Sequence, residues 1–276
     1  MTAVWSSEVG PVDAAFVALI HGSMDRSSGM LKLSRVLDAT CRVARYDRRG
    51  YGSSRPHDSP HDSPHDGPFD MAHQVADLAG VLGGRPAVLV GHSYGGNVAL
   101  ATAAAHPDLV RGVVVYETPL SWEPWWPGTT AGADAVAAQG DPAGAAEQFM
   151  RRMIGDERWD GLPERTRVTR RLEGAAMVAE LADLRLHRPW NAADISAPVI
   201  AGFGSLGSPL HREGMRYLVE QFTARVEARV QARVQARVVE LPGCRHDAPL
   251  SHPKLFAQML VAPMVELLSP GRPAAR

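Results

Sequence analysis

Short runs of consecutive apolar residues alternate along the chain with longer stretches in which apolar residues recur every three or four positions. Six of the short runs read as strands: AFVALI (Ala15 to Ile20), CRVARY (Cys41 to Tyr46), PAVLVG (Pro86 to Gly91), GVVVY (Gly112 to Tyr116), PVIAGF (Pro198 to Phe203) and ARVVELP (Ala236 to Pro242). Between them, Met30 to Leu37, Asp70 to Leu82, Tyr94 to Ala105 and Phe256 to Leu268 have helical spacing; in the second, Val75, Leu78, Ala79 and Leu82 share one face. Strands alternating with helices predict βα units, hence a mostly parallel central sheet flanked by helices on both faces. The strands are apolar almost throughout, as strands buried on both sides must be. There is room for one further strand before AFVALI.

The alternation breaks once. From Leu120 to Asp194 no strand pattern occurs; tryptophans (Trp122, Trp125, Trp126, Trp159, Trp190) and helical patterns over Ala145 to Ile154 and Arg165 to Leu184 take its place. This predicts a helical insertion over the end of the sheet, dividing the chain into a core of residues 1–119 and 195–276 and a cap of residues 120–194. Two low-complexity stretches lie in the core. The HDSP, HDSP, HDGP repeat from His57 to Pro68 is rich in proline, which removes backbone donors, and predicts an exposed, mobile loop. Its histidines and aspartates offer metal-ligand types, but a solvated repeat accounts for them. ARVEARVQARVQARV (Ala224 to Val238) fits both strand and helix spacing; its Ala, Arg, Gln and Glu content favours a helix to about Gln235.

Lysine and arginine total 29 against 30 acidic residues. That balance gives no reason to expect nucleic acid or an anionic membrane as partner. Cys41 and Cys244 form neither a CxxC pair nor a metal-ligand spacing, so two free thiols in a reducing compartment are expected. The first residues lack the basic-then-apolar pattern of a signal peptide, and no stretch approaches the ~18 apolar residues of a membrane span, so the expected location is the cytoplasm. No cofactor and no metal are expected.

Against this background one sequence carries chemistry. Gly91-His92-Ser93-Tyr94-Gly95 is a GxSxG pattern that follows a strand directly and opens a helix. A sharp strand-to-helix turn forces such a serine into a strained conformation with its hydroxyl exposed. A serine hydroxyl needs a base, and the base needs an orienting partner. His246, just after the last strand in LPGCRHDAP, is the best-placed base; His92, His106, His187 and His211 read as packing or capping residues. His21-Gly22-Ser23 follows the first strand, and a glycine there lets backbone approach a bound carbonyl. The backbone N–H groups of Ser23 and Tyr94 are therefore the candidate oxyanion hole, with His21 holding the loop by hydrogen bonds.

The segments LIHGS, YDRRGYGSS, VLVGHSYGG and PGCRHDAP, in that order, resemble the α/β-hydrolase superfamily over nearly the whole chain. The resemblance implies an α/β-hydrolase fold with an inserted helical cap that shapes the substrate pocket. Haloalkane dehalogenases and epoxide hydrolases of this fold carry aspartate at that turn, so the serine here sets the chain apart from them and points to acyl transfer to water. One position departs from the family. An aspartate in a G-x-x-D pattern commonly follows the strand equivalent to PVIAGF; here Gly204-Ser205-Leu206-Gly207 puts glycine in its place. Glu117, at the end of GVVVY, is the alternative acid, because parallel strands end on the edge where the nucleophile turn lies; Glu213 is the runner-up. The expectation is a cofactor-independent serine hydrolase with Ser93, His246 and Glu117, acting on a small acyl substrate such as an ester or thioester, with Trp122, Trp125 and Trp126 as a candidate pocket wall. Two rivals stay open: a small-molecule binding protein that has lost turnover, which the missing aspartate favours, and a C–C hydrolase, lyase or acyltransferase on the same triad.

Overall fold

A computed structural model of the chain describes residues 4–55, 67–223 and 235–268. Its centre is a sheet in the order β1-β3-β2-β4-β5-β6-β7. The strands are β1 (Ser6–Val9), β2 (Ala15–Ile20), β3 (Cys41–Tyr46), β4 (Ala87–His92), β5 (Val110–Tyr116), β6 (Val199–Gly204) and β7 (Ala236–Leu241). Only β1 runs antiparallel, against β3. Every strand expected from the apolar runs is present, and β1 fills the room before AFVALI. Side chains on a strand point alternately to opposite faces, and the core divides accordingly. Leu89, Val113 and Val115 join the core on one face; Val88, Val90, Val114 and Tyr116 join the core on the other.

The helices are α1 (Leu31–Leu37), α2 (Met71–Leu82), α3 (Tyr94–Ala105), α4 (Ala131–Ala137), α5 (Pro142–Ile154), α6 (Asp156–Asp160), α7 (Glu164–Leu172), α8 (Gly174–Leu186), α9 (Pro209–Thr223), α10 (Ala248–Ser251), α11 (Pro253–Phe256) and α12 (Ala262–Leu267). Helix α2 starts where Asp70 accepts the N–H of His73 and ends at Gly83 in the left-handed conformation. Helices α4 to α8 fill the stretch between β5 and β6. Both cysteines are buried and free. Among the described residues no helix is long and apolar enough to cross a membrane.

Two helices differ from the periodicity. The expected helix from Arg165 to Leu184 is two, meeting at Glu173, whose carboxylate turns inward to Arg26 and to the N–H of Gly52. Beside it α8 begins so close to α5 that a Cβ on Gly174 would lie 2.0 Å from the Pro142 carbonyl. The closing helix widens to a π-type turn over Ala257–Val261. Pro263 lacks the N–H that would continue the α-helical ladder there. Residues 56–66, with most of the HDSP repeat, and residues 224–234, with most of the ARVQ repeat, lie outside the described residues; Ala236 to Val238 belong to β7.

Candidate active site

The parallel strands end on one edge of the sheet, and that edge gathers the chemistry. Ser93 sits between β4 and α3 with φ 53° and ψ −126°, the strained turn that the GxSxG pattern predicts. Its N–H donates to the Tyr116 carbonyl at 2.9 Å, tying the turn to the end of β5. The turn is possible because Gly95 lets α3 start against β2: a Cβ there would lie 2.4 Å from the Ile20 carbonyl oxygen. Tyr94 is the first residue of α3, where an N–H has no intrahelical acceptor. The loop after β2 meets the serine from the other side. A Cβ on Gly22 would lie 2.9 Å from Ser93 Cβ, so backbone at Gly22, next to Ser23, touches the Ser93 turn.

That loop is held by a buried network. His21 lies between the Gly22 carbonyl at Nδ1 (2.8 Å) and the Arg48 N–H at Nε2 (2.9 Å), which fixes one tautomer. Burial, then the Arg48 charge, push its pKa well below the ordinary histidine value, so it stays neutral. Arg48 is fully buried; its guanidinium donates to the carbonyls of His21 and Gly22 and pairs with Glu180 of α8 at 2.6 Å. Glu180 also accepts from Ser23 Oγ (2.6 Å) and Tyr51 Oη (2.7 Å). A charge buried this deeply needs such a partner.

Opposite, Glu117 follows β5 with φ 47° and is fully buried. Its Oε1 accepts the Gly204 N–H at 2.9 Å, and its Oε2 meets His246 Nδ1 at 2.7 Å. A Cβ on Gly207 would lie 2.4 Å from Oε1. The carboxylate thus fills the space that a side chain at the customary aspartate position would enter. Glu213 is exposed on α9. Burial alone would raise the Glu117 pKa, but the contacts with His211 and His246 outweigh it and hold the carboxyl well below the usual carboxylate range. An ionised carboxylate at Nδ1 fixes the proton there and leaves the lone pair on Nε2.

Two further histidines belong to this cluster, and neither was expected in it. His211, in the first turn of α9, places Nδ1 3.1 Å from the same Oε2 and stacks on His246 with ring centroids 4.9 Å apart and planes 15° apart. His92 Nε2 bonds the His246 carbonyl at 2.8 Å, and burial foremost pushes its pKa down to about 3. Among the described residues Glu117, His211 and His246 also form a set of donor atoms, all within 4.8 Å of one another, that could hold a metal ion. Of the candidate wall residues, Trp126 stands 6.2 Å from His211 and is buried against Gly214. Trp125 packs on Tyr217 and is 40% exposed. Trp122 packs edge-on to Trp190 under the Arg188 guanidinium.

The model of the alpha/beta hydrolase family matches residues 17–259. A putative lipase from Acinetobacter baumannii superposes with a TM-score of 0.71 at 16% identity, covering 95% of this chain and 87% of that one. A thermophilic esterase from Thermogutta terrifontis gives 0.68 at 18% identity, covering 96% and 93%. An alpha/beta hydrolase from Sphaerobacter thermophilus gives 0.62 at 21% identity, covering 96% of each chain. A search of curated protein sequences found no match.

Proposed function

The chain belongs to the alpha/beta hydrolase family, and we propose that within it this protein is a serine hydrolase that cleaves a small ester or thioester through Ser93, His246 and Glu117. The observation that carries the reading is the 2.7 Å bond from His246 Nδ1 to a buried, ionised Glu117 on the edge where Ser93 stands in a strained turn. The absent aspartate favoured a protein without turnover; a carboxylate filling that space from the neighbouring strand favours an enzyme. Solved structures of similar fold include a thermophilic esterase and a putative lipase, which agrees with acyl transfer to water.

In this reading Ser93 Oγ attacks the substrate carbonyl while His246 Nε2 takes its proton. Glu117 holds the imidazole in the required tautomer and stabilises the imidazolium. The backbone N–H groups of Ser23 and Tyr94 stabilise the oxyanion, each worth ~3 kcal/mol of barrier in comparable sites. His246 then protonates the leaving group, and water repeats the sequence to release the acid. Residues 120–194 act as the cap, with the Trp126 ring 6.2 Å from that of His211. Intact-protein mass spectrometry after exposure to a small fluorophosphonate tests the assignment. Wild type should take up one label and Ser93→Ala none; a well-folded wild type that stays unlabelled would remove Ser93 from the mechanism.

A further inference from the structure

A glutamate reaches its histidine through one more torsion than an aspartate does, and each free torsion multiplies the rotamers available. A triad acid on the longer side chain therefore has to be held. Oε1 is held by backbone, through the Gly204 N–H. Oε2 meets two imidazoles, His246 at 2.7 Å and His211 at 3.1 Å. His211 is itself fixed. Its helix opens at Pro209 with the His211 N–H donating to the Ser208 carbonyl, its ring lies parallel to His246, and Trp126 lies against the same helix at Gly214.

We propose that His211 is a positioning residue for the triad: its Nδ1, 3.1 Å from Oε2, holds the Glu117 carboxylate in the one orientation that serves His246. The inference rests on the triad reading for its kinetic consequence only. The groups facing His246 are Glu117 from β5, His92 from the nucleophile turn and His211 from α9, with Arg245 and Asp247 beside it in the chain. His211 faces Glu117 and His246, with Arg212 and Glu213 next to it in the chain. Burial favours neutral His211, the form in which a single proton must lie on Nδ1 to serve the clamp.

Nitrogen-15 NMR of the histidines in the full chain tests this, with His211→Phe, which keeps a stacked ring but no donor, and His211→Asn, which returns an N–H near the position of Nδ1. In wild type at neutral pH, His211 should carry its proton on Nδ1. Ester turnover should follow the geometry: kcat about tenfold lower in His211→Phe at little change in KM, and recovered in His211→Asn. A His211 proton on Nε2, read on wild type and so independent of any variant's folding, would overturn the proposal. So would a wild-type kcat in a folded His211→Phe. If the NMR result is as expected while Ser93 takes no fluorophosphonate, the hydrolase reading fails and the clamp stands.

Discussion

Alanine at position 207 perturbs the candidate acid without replacing it. Gly207 lies in a bend whose N–H donates to the Gly204 carbonyl, and its φ is outside the left-handed region, so the substitution brings no backbone strain. The added Cβ would lie 2.4 Å from Glu117 Oε1 and 3.0 Å from the Gly204 oxygen. An ordinary carbon contact requires the carboxylate to retreat by about 1 Å. That retreat lengthens the 2.9 Å bond from the Gly204 N–H beyond hydrogen-bonding range. A hydrogen bond to a charged group, about 1.5–3 kcal/mol, is then lost. His246 follows its displaced partner, and misplacement on this scale costs roughly 100-fold in rate. Steady-state hydrolysis of a p-nitrophenyl ester should therefore show kcat about 100-fold down with KM little changed, and circular dichroism should report a folded protein. Glu117→Gln should cost more, on the order of 10⁴-fold, because the amide imposes the wrong tautomer on His246. Gly207→Asp combined with Glu117→Ala returns the acid to the end of β6 and should recover activity over Glu117→Ala alone. Wild-type turnover in Gly207→Ala would refute the assignment of Glu117 as the acid that serves His246.

Removing the charge of Glu180 should destabilise the fold as well as the loop. Glu180→Gln leaves Arg48 buried without a counterion, and urea unfolding should show a loss of about 3–5 kcal/mol; a loss within error would mean that Arg48 finds another acceptor. Acid should weaken the protein in two stages. His21 and His92 have pKa values depressed in the fold, His92 to about 3, so the unfolded chain takes up protons first as pH falls below the ordinary histidine range, and stability declines there. The depressed carboxyl of Glu117 has the same sign below the ordinary carboxylate range: its contribution is present above the unfolded pKa and is lost as pH falls through the folded one. Urea midpoints should therefore drop between about pH 7.5 and about pH 5, less so in His92→Gln; equal midpoints in wild type would contradict the buried neutral histidines.

The strands were legible because burial on both faces makes them apolar at nearly every position, a signal that needs no knowledge of their partners. The order of βα units and the turn at Ser93 follow from the same local pattern. Glu117 could be found from its place at the end of an apolar run, because parallel strands deliver their last residues to a common edge. Other features depend on contacts between distant segments. Glu173, where α7 meets α8, reaches Arg26 and Gly52, far away in sequence. His211 is the clearest case. Met215, Leu218, Val219 and Phe222 give α9 a readable apolar stripe, yet nothing in that stripe says that the helix sets a histidine on a carboxylate 94 positions earlier. His92 reads in the sequence as a packing or capping residue, and its bond to the carbonyl of His246 depends on a loop 154 positions away.

Ser93 and Glu117 share a backbone feature with a cost. Both take positive φ, 53° and 47°, where a side chain crowds its own carbonyl. Each such residue carries strain of about 1–3 kcal/mol. Glycine at either position would release it. A chain selected for stability alone would drift toward glycine at the ends of both β4 and β5, and would lose its candidate nucleophile and acid in doing so. Attempts to make this protein more heat-resistant by relieving strained backbone will therefore be drawn to the two positions where improvement is least wanted, and the gains compatible with function have to come from elsewhere in the chain.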